Sequence, residues 1–206
     1  SCQLKDTGVA LAAAPGSAAA VPSSGPAAPP EAADWADPGS SGDSPDSDSL
    51  RDRVVRGLFE HGCFQLGEFT LKSGQSSPFY VDLRRAVGSP AFMRTLSAAY
   101  ASLAADIPHD RLAGIPVAAL PIATALSLHT GRPMIYPRIP PKAHGTGRPI
   151  EGAYEPGERV LLVDDLITTG GSKIEALEVL ESEGLRVDHL VVLLERGKRG
   201  RADIEG

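Results

Sequence analysis

Residues 160 to 173 read VLLVDDLITTGGSK. Four apolar residues lead into Asp164 and Asp165. Leu166 and Ile167 follow, then the small residues Thr168, Thr169, Gly170, Gly171 and Ser172. An unbroken apolar run of this kind makes a strand buried on both faces, as in a parallel sheet covered by helices. Such sheets take their ligands at the carboxyl ends of the strands, which is where the two acids fall. The small residues let backbone N–H groups converge, and the start of the next helix adds the positive end of its dipole. Together they make a cradle for a phosphate. Carboxylates touching that phosphate would repel it; a few ångströms away they accept hydrogen bonds from sugar hydroxyls or hold Mg²⁺ through water. The stretch reads as a site for a ribose 5-phosphate. It has neither the spacing of a Walker A loop nor that of a dinucleotide fingerprint. Two adjacent aspartates alone would be two solvated acids; the order of apolar run, acid pair, small-residue loop and helix is what favours a site.

The flanking sequence supplies the sheet. RLAGI (111–115) is a short strand, LPIATALSLHTG (120–131) a helix stopped by Gly131, and PMIYPR (133–138) a strand. Residues 139–157 are a Gly/Pro-rich loop. RVLLVDD (159–165) is a buried strand, SKIEALEVLESEG (172–184) a helix closed by Gly184, and RVDHLVVLLER (186–196) a second buried strand. Strands alternating with helices define an α/β fold built on a parallel sheet. Upstream, SLRDRVVRGLFEHG has helical spacing with Ser49 as cap, and EFTLKSGQSSPFYVDL (68–83) forms two strands around a Gly/Ser turn. A second helix starts at Ser89-Pro90 and turns Phe92, Leu96, Ala99, Tyr100 and Leu103 inward.

The chain has 206 residues and a formal net charge of −6. That balance argues against nucleic acid as a partner, which requires clustered Lys and Arg. No apolar run reaches the ~18 residues of a membrane helix, so no membrane partner is expected. Residues 1–48 are rich in Ala, Pro, Ser, Gly and Asp, with Trp35 their only aromatic and Lys5 their only base. They offer too little apolar surface to offset the entropy of ordering and are expected to be a disordered tail. The folded domain then runs from 49 to 206. Cys2 and Cys63 form no metal-ligand spacing, and a reducing, cytoplasmic setting is the default.

VLLVDDLITTGGS resembles the phosphoribosyl pyrophosphate (PRPP) motif of type I phosphoribosyltransferases. Three further stretches narrow the resemblance to orotate phosphoribosyltransferase: EFTLKSGQSSPFYVDLR (68–84), KAHGTG (142–147), which is similar to that family's mobile catalytic loop, and LLER (193–196). The resemblance implies a parallel-sheet type I fold with a small N-terminal hood, and transfer of ribose 5-phosphate from PRPP to orotate in pyrimidine synthesis. It further implies Mg²⁺ held mainly by substrate with Asp164 and Asp165 nearby, and a homodimer sharing loop 139–157. The family also includes longer proteins of the UMP synthase kind, fused to a decarboxylase. The chain ends soon after Arg196, so the domain is expected to be C-terminally shortened.

Carried onto this sequence, the resemblance gives Asp164 and Asp165 to the ribose hydroxyls, and the stretch from Leu166 and Ile167 through Thr168, Thr169, Gly170, Gly171 and Ser172 to PRPP and its 5'-phosphate. Lys142 and His144 close over the pyrophosphate, and Arg138 contacts it. Lys72, Phe79, Tyr80, Thr168 and Arg196 meet orotate. Two positions depart from the family pattern: Ile139 stands where a cation is usual, and Val117 where Tyr is usual. These departures favour an alternative, a PRPP- or nucleotide-binding regulator without turnover. Lys142 and His144 favour the enzyme, since a sensor has no leaving group to stabilise.

Overall fold

The structure, a computed structural model, describes residues 49–70, 74, 76–139, 148–167 and 171–195, and the backbone of 9–11. The elements in chain order are β1 (Val9–Leu11), α1 (Leu50–Glu60), β2 (Phe64–Thr70), β3 (Ser76–Val81), a 3₁₀ turn (Leu83–Gly88), α2 (Pro90–Ala104), β4 (Arg111–Gly114), α3 (Ala119–Thr130), β5 (Met134–Pro137), β6 (Ile150–Glu151), β7 (Arg159–Ile167), α4 (Gly171–Ser182) and β8 (Arg186–Glu195). They divide into two compact units, with the boundary inside α2 at Tyr100.

The smaller unit holds α1, β2, β3 and most of α2. Ser49 caps α1 as expected, its hydroxyl accepting the Asp52 N–H at 3.2 Å, which satisfies a donor that has no partner within the helix. Val54, Gly57 and Leu58 form the buried stripe of α1. β2 and β3 pair antiparallel from Phe64↔Val81 to Thr70↔Ser76, with an irregularity between Leu66 and Phe69. Ser89 caps α2 through a 3.2 Å bond from the Phe92 N–H, with Pro90 at the first helical position, where it removes no needed donor.

The larger unit is a six-stranded sheet in the order β1-β8-β7-β4-β5-β6. The four inner strands β8, β7, β4 and β5 run parallel, and the two-residue and three-residue edge strands β6 and β1 run antiparallel. Val160, Leu161, Leu162 and Val163 are all buried, the two-sided burial that the unbroken apolar run requires. Ile135, Ile150, Leu162, Leu180 and Leu190 belong to one core cluster, each contributing roughly 1.5–3 kcal/mol by leaving water. Gly131 ends α3 in the left-handed region at φ 69°, and Gly184 closes α4 at φ 80°, conformations that cost glycine nothing.

Several boundaries differ from the sequence expectation. β7 continues past the acids to Ile167, because β8 is long enough to keep pairing with it through Ile167↔Glu195. The acids therefore sit within the ladder, two residues before its end. The segment 139–157, expected to be all loop, contains β6, which pairs Pro137↔Ile150 and Tyr136↔Glu151. Burying Ile150, 1% exposed, stabilises a strand too short to show a period. In residues 1–48 only the backbone of β1, antiparallel to β8, lies within the described residues.

Candidate functional site

The carboxyl ends of β8, β7, β4 and β5 align along one edge of the sheet. Registers Asp164↔Val192, Gly114↔Val163 and Ala113↔Ile135 bring them level. Asp164 and Asp165 lie on this edge in β7, Val117 follows β4, and Arg138 follows β5. From Ile167 the chain passes to the start of α4 at Gly171 and Ser172. Sequence reasoning brought these residues together, and the topology does the same.

The two acids occupy different surroundings. Asp164 is 4% exposed. Its Oδ2 lies 2.5 Å from the Lys173 ammonium, and its Oδ1 accepts the Asp165 N–H at 2.9 Å. Its carbonyl accepts the buried Tyr100 hydroxyl at 2.7 Å. Asp165 is less buried, and its Oδ1 accepts the Leu166 N–H at 2.7 Å. Burial, then the neighbouring Asp164 charge, push the Asp165 carboxyl up to about 6, against the pull of the Leu166 N–H and of Lys173. Burial chiefly, with both aspartates adding to it, pushes the Tyr100 hydroxyl well above its ordinary range, so it stays a donor. Lys173, 6% exposed, also donates to the Leu166 carbonyl at 2.7 Å.

Arg138 forms an ion pair with Glu151 of β6, and its N–H donates to the Pro149 carbonyl at 2.7 Å. Ile139, the departure from a usual cation, packs partly buried against the core cluster. An apolar side chain there anchors the chain where it leaves the sheet. Val117 is 76% exposed and follows a cis peptide bond after Pro116. In the other unit, Phe79 stacks on Phe64 with ring centroids 5.4 Å apart, and Tyr80 lies against Phe69 at 5.5 Å. Lys72, Lys142, His144, Thr168, Thr169, Gly170 and Arg196 lie outside the described residues.

Sequence reasoning missed Lys173, Tyr100 as a hydrogen-bond donor, and Glu151. A signal existed for Lys173: a cation in the first turn of a helix opposes the dipole and calls for a nearby anion. None existed for Tyr100, whose place on an apolar helix face hides its hydroxyl.

The donor set also bears on Mg²⁺. Among the described residues no cluster of three or more His, Cys, Asp or Glu forms a metal cage. Both Asp164 oxygens are engaged by protein donors. Mg²⁺ keeps most of its waters and binds through one or two carboxylates plus substrate phosphates, so the less buried Asp165 would be the acid to hold it.

Residues 91–205 match the model of the phosphoribosyl transferase domain. An orotate phosphoribosyltransferase of Thermococcus gammatolerans is 40% identical over 156 residues, 75% of this chain and 82% of that protein. The crystal structure of orotate phosphoribosyltransferase from Aeropyrum pernix aligns with TM-score 0.64 and 31% identity over 71% of this chain and 84% of that one. The Leishmania donovani UMP synthase structure aligns with TM-score 0.64 and 46% identity over 72% of this chain, which spans 32% of that longer protein.

Proposed function

Since the chain belongs to the orotate phosphoribosyltransferase family, it transfers ribose 5-phosphate from PRPP to orotate in pyrimidine biosynthesis, and we propose how its own residues carry that step. The observation that supports the reading is the acid pair on the carboxyl edge of β7, directly upstream of the N-terminus of α4.

On this reading the acid pair serves the ribose hydroxyls. Backbone and side-chain donors of residues 168–172 hold the 5'-phosphate, aided by the positive end of the α4 dipole. Arg138 exchanges Glu151 for the pyrophosphate. Lys142 and His144 close over the same group. Lys72 and Arg196 meet the orotate charge, Arg196 through paired hydrogen bonds; Phe79 and Tyr80 flank the ring, and Thr168 completes its contacts. No protein nucleophile is needed: as the C1'–pyrophosphate bond breaks, catalysis is positioning plus stabilisation of the departing charge. Mg²⁺, when bound with the substrate, supplies Lewis-acid stabilisation of that charge. The residues work in a cytoplasmic homodimer in which loop 139–157 is shared between subunits, and the catalytic domain runs from 49 to 206.

The test is the loss of orotate absorbance in the presence of PRPP and Mg²⁺. Lys142→Ala is expected to lower kcat by at least 100-fold, the scale of removing one charge-stabilising group, with an unchanged circular dichroism spectrum. Near-parental turnover in that variant would remove Lys142 from the leaving-group loop.

A further inference from the structure

Lys173 is a buried cation that the reaction as described does not use. Its ammonium has three recorded partners: Asp164 Oδ2 at 2.5 Å, the Leu166 carbonyl at 2.7 Å and Ser172 Oγ at 3.4 Å. An ammonium has three donors, so these contacts occupy it, and it is turned toward β7. Its place in the first turn of α4 opposes the helix dipole, and the Asp164 charge offsets that cost. The pair is buried on both sides, with side-chain exposures of 8% and 6%. Breaking such a pair from one side leaves an uncompensated charge in low dielectric.

The consequence falls on the two acids. Asp164 has one oxygen taken by Lys173, the other by the Asp165 N–H, and its carbonyl held by Tyr100. Lys173 also grips the carbonyl of Leu166, so one side chain ties down both sides of Asp165. Asp165 is the more exposed acid.

We propose that Lys173 is a positioning residue which locks Asp164 as an anchor near the end of β7 and leaves Asp165 as the carboxylate that meets the ribose hydroxyls. This rests on the acid pair serving ribose, and it assigns the two acids unequal tasks. Asp164 and Lys173 hold the backbone on both sides of Asp165, and Asp165 makes the contact.

The experiment compares Lys173→Met, the doubly neutralised Asp164→Asn/Lys173→Met, and Asp165→Asn, reading KM for PRPP, KM for orotate, kcat and the melting temperature of each. Lys173→Met is expected to raise KM for PRPP at least 10-fold while KM for orotate changes less than about 2-fold, a split that mere loss of packing would not give. Asp165→Asn is expected to raise KM for PRPP more than 100-fold. The double variant removes both buried charges together, so it carries the test even if Lys173→Met fails to fold. It is expected to melt above Lys173→Met and to recover part of the PRPP affinity that Lys173→Met loses. A double variant as impaired for PRPP as Asp165→Asn would overturn the proposal, because Asp164 would then be a ligand contact in its own right. Parental KM for PRPP in Lys173→Met would overturn it too. Parental PRPP binding by Asp165→Asn would instead remove the ribose assignment on which the proposal stands.

Discussion

Asp165 holds its carboxylate where burial and a neighbouring anion both disfavour the charge, and its carboxyl rises to about 6 as a result. The sign follows from linkage. Between about 4 and about 6 the unfolded chain has lost this proton while the folded chain keeps it, so stability falls as pH rises through that window. Above it the folded state carries a charge it would be more stable without. Asp165→Asn is therefore expected to melt a few degrees above the parent at pH 7 and level with it near pH 4, while losing PRPP binding. Thermal melts at the two pH values decide it; a melting difference independent of pH would contradict the electrostatic account. The acid pair was legible from residue order alone. Lys173 was not, because its contact with Asp164 forms only when β7 and α4 fold back on each other. The packing of Ile139 was not legible either, because sequence does not show the core cluster it meets.

Helix ends were legible because caps are local chemistry: Ser49, Ser89, Gly131 and Gly184 act where their types predict. Strand ends were less so. β7 outran its apolar residues since a ladder extends as far as its neighbour does, and β6 exists because β5 offers it an edge. Helix packing has its own constraint at Gly57 of α1, where an added Cβ would lie 2.1 Å from the ring of Phe92 on α2. That ring is 4% exposed and cannot simply swing into water. Alanine would gain about 1 kcal/mol of helix propensity, but forcing volume into a packed contact costs typically 1–3 kcal/mol, and an overlap this deep belongs at the upper end. Gly57→Ala is expected to lose about 1–2 kcal/mol net in urea denaturation. An equal or higher midpoint would show that the two helices separate easily.

Over the whole molecule, alternation of strand and helix was enough to give the parallel sheet and its functional edge. The opposite edge was invisible in sequence, since its contacts join distant residues. There Arg159 makes paired bonds to Asp110 at 2.8 and 3.0 Å, and Arg111 pairs with Glu158 at 2.6 and 2.8 Å. The Arg159 bonds hold Asp110 down at about 2, and Arg111 lowers Glu158 in the same sense. A carboxyl lowered by folding stabilises fully above about 4, and that stability is lost as pH falls toward 2. These pairs are part-exposed, so solvent limits each to about 1 kcal/mol at most. Asp110→Asn is expected to lower stability by that amount at pH 7 and by progressively less toward pH 2 in urea titrations; a constant deficit would point to lost hydrogen bonding alone.

The bond from the Arg138 N–H to the Pro149 carbonyl closes the chain on itself around residues 139–148, which include Lys142 and His144. Once such a ring is closed, its length weighs little on folding, since each doubling costs only about 0.6 kcal/mol of closure entropy. The fold therefore sets little constraint on how many residues separate Arg138 from Pro149.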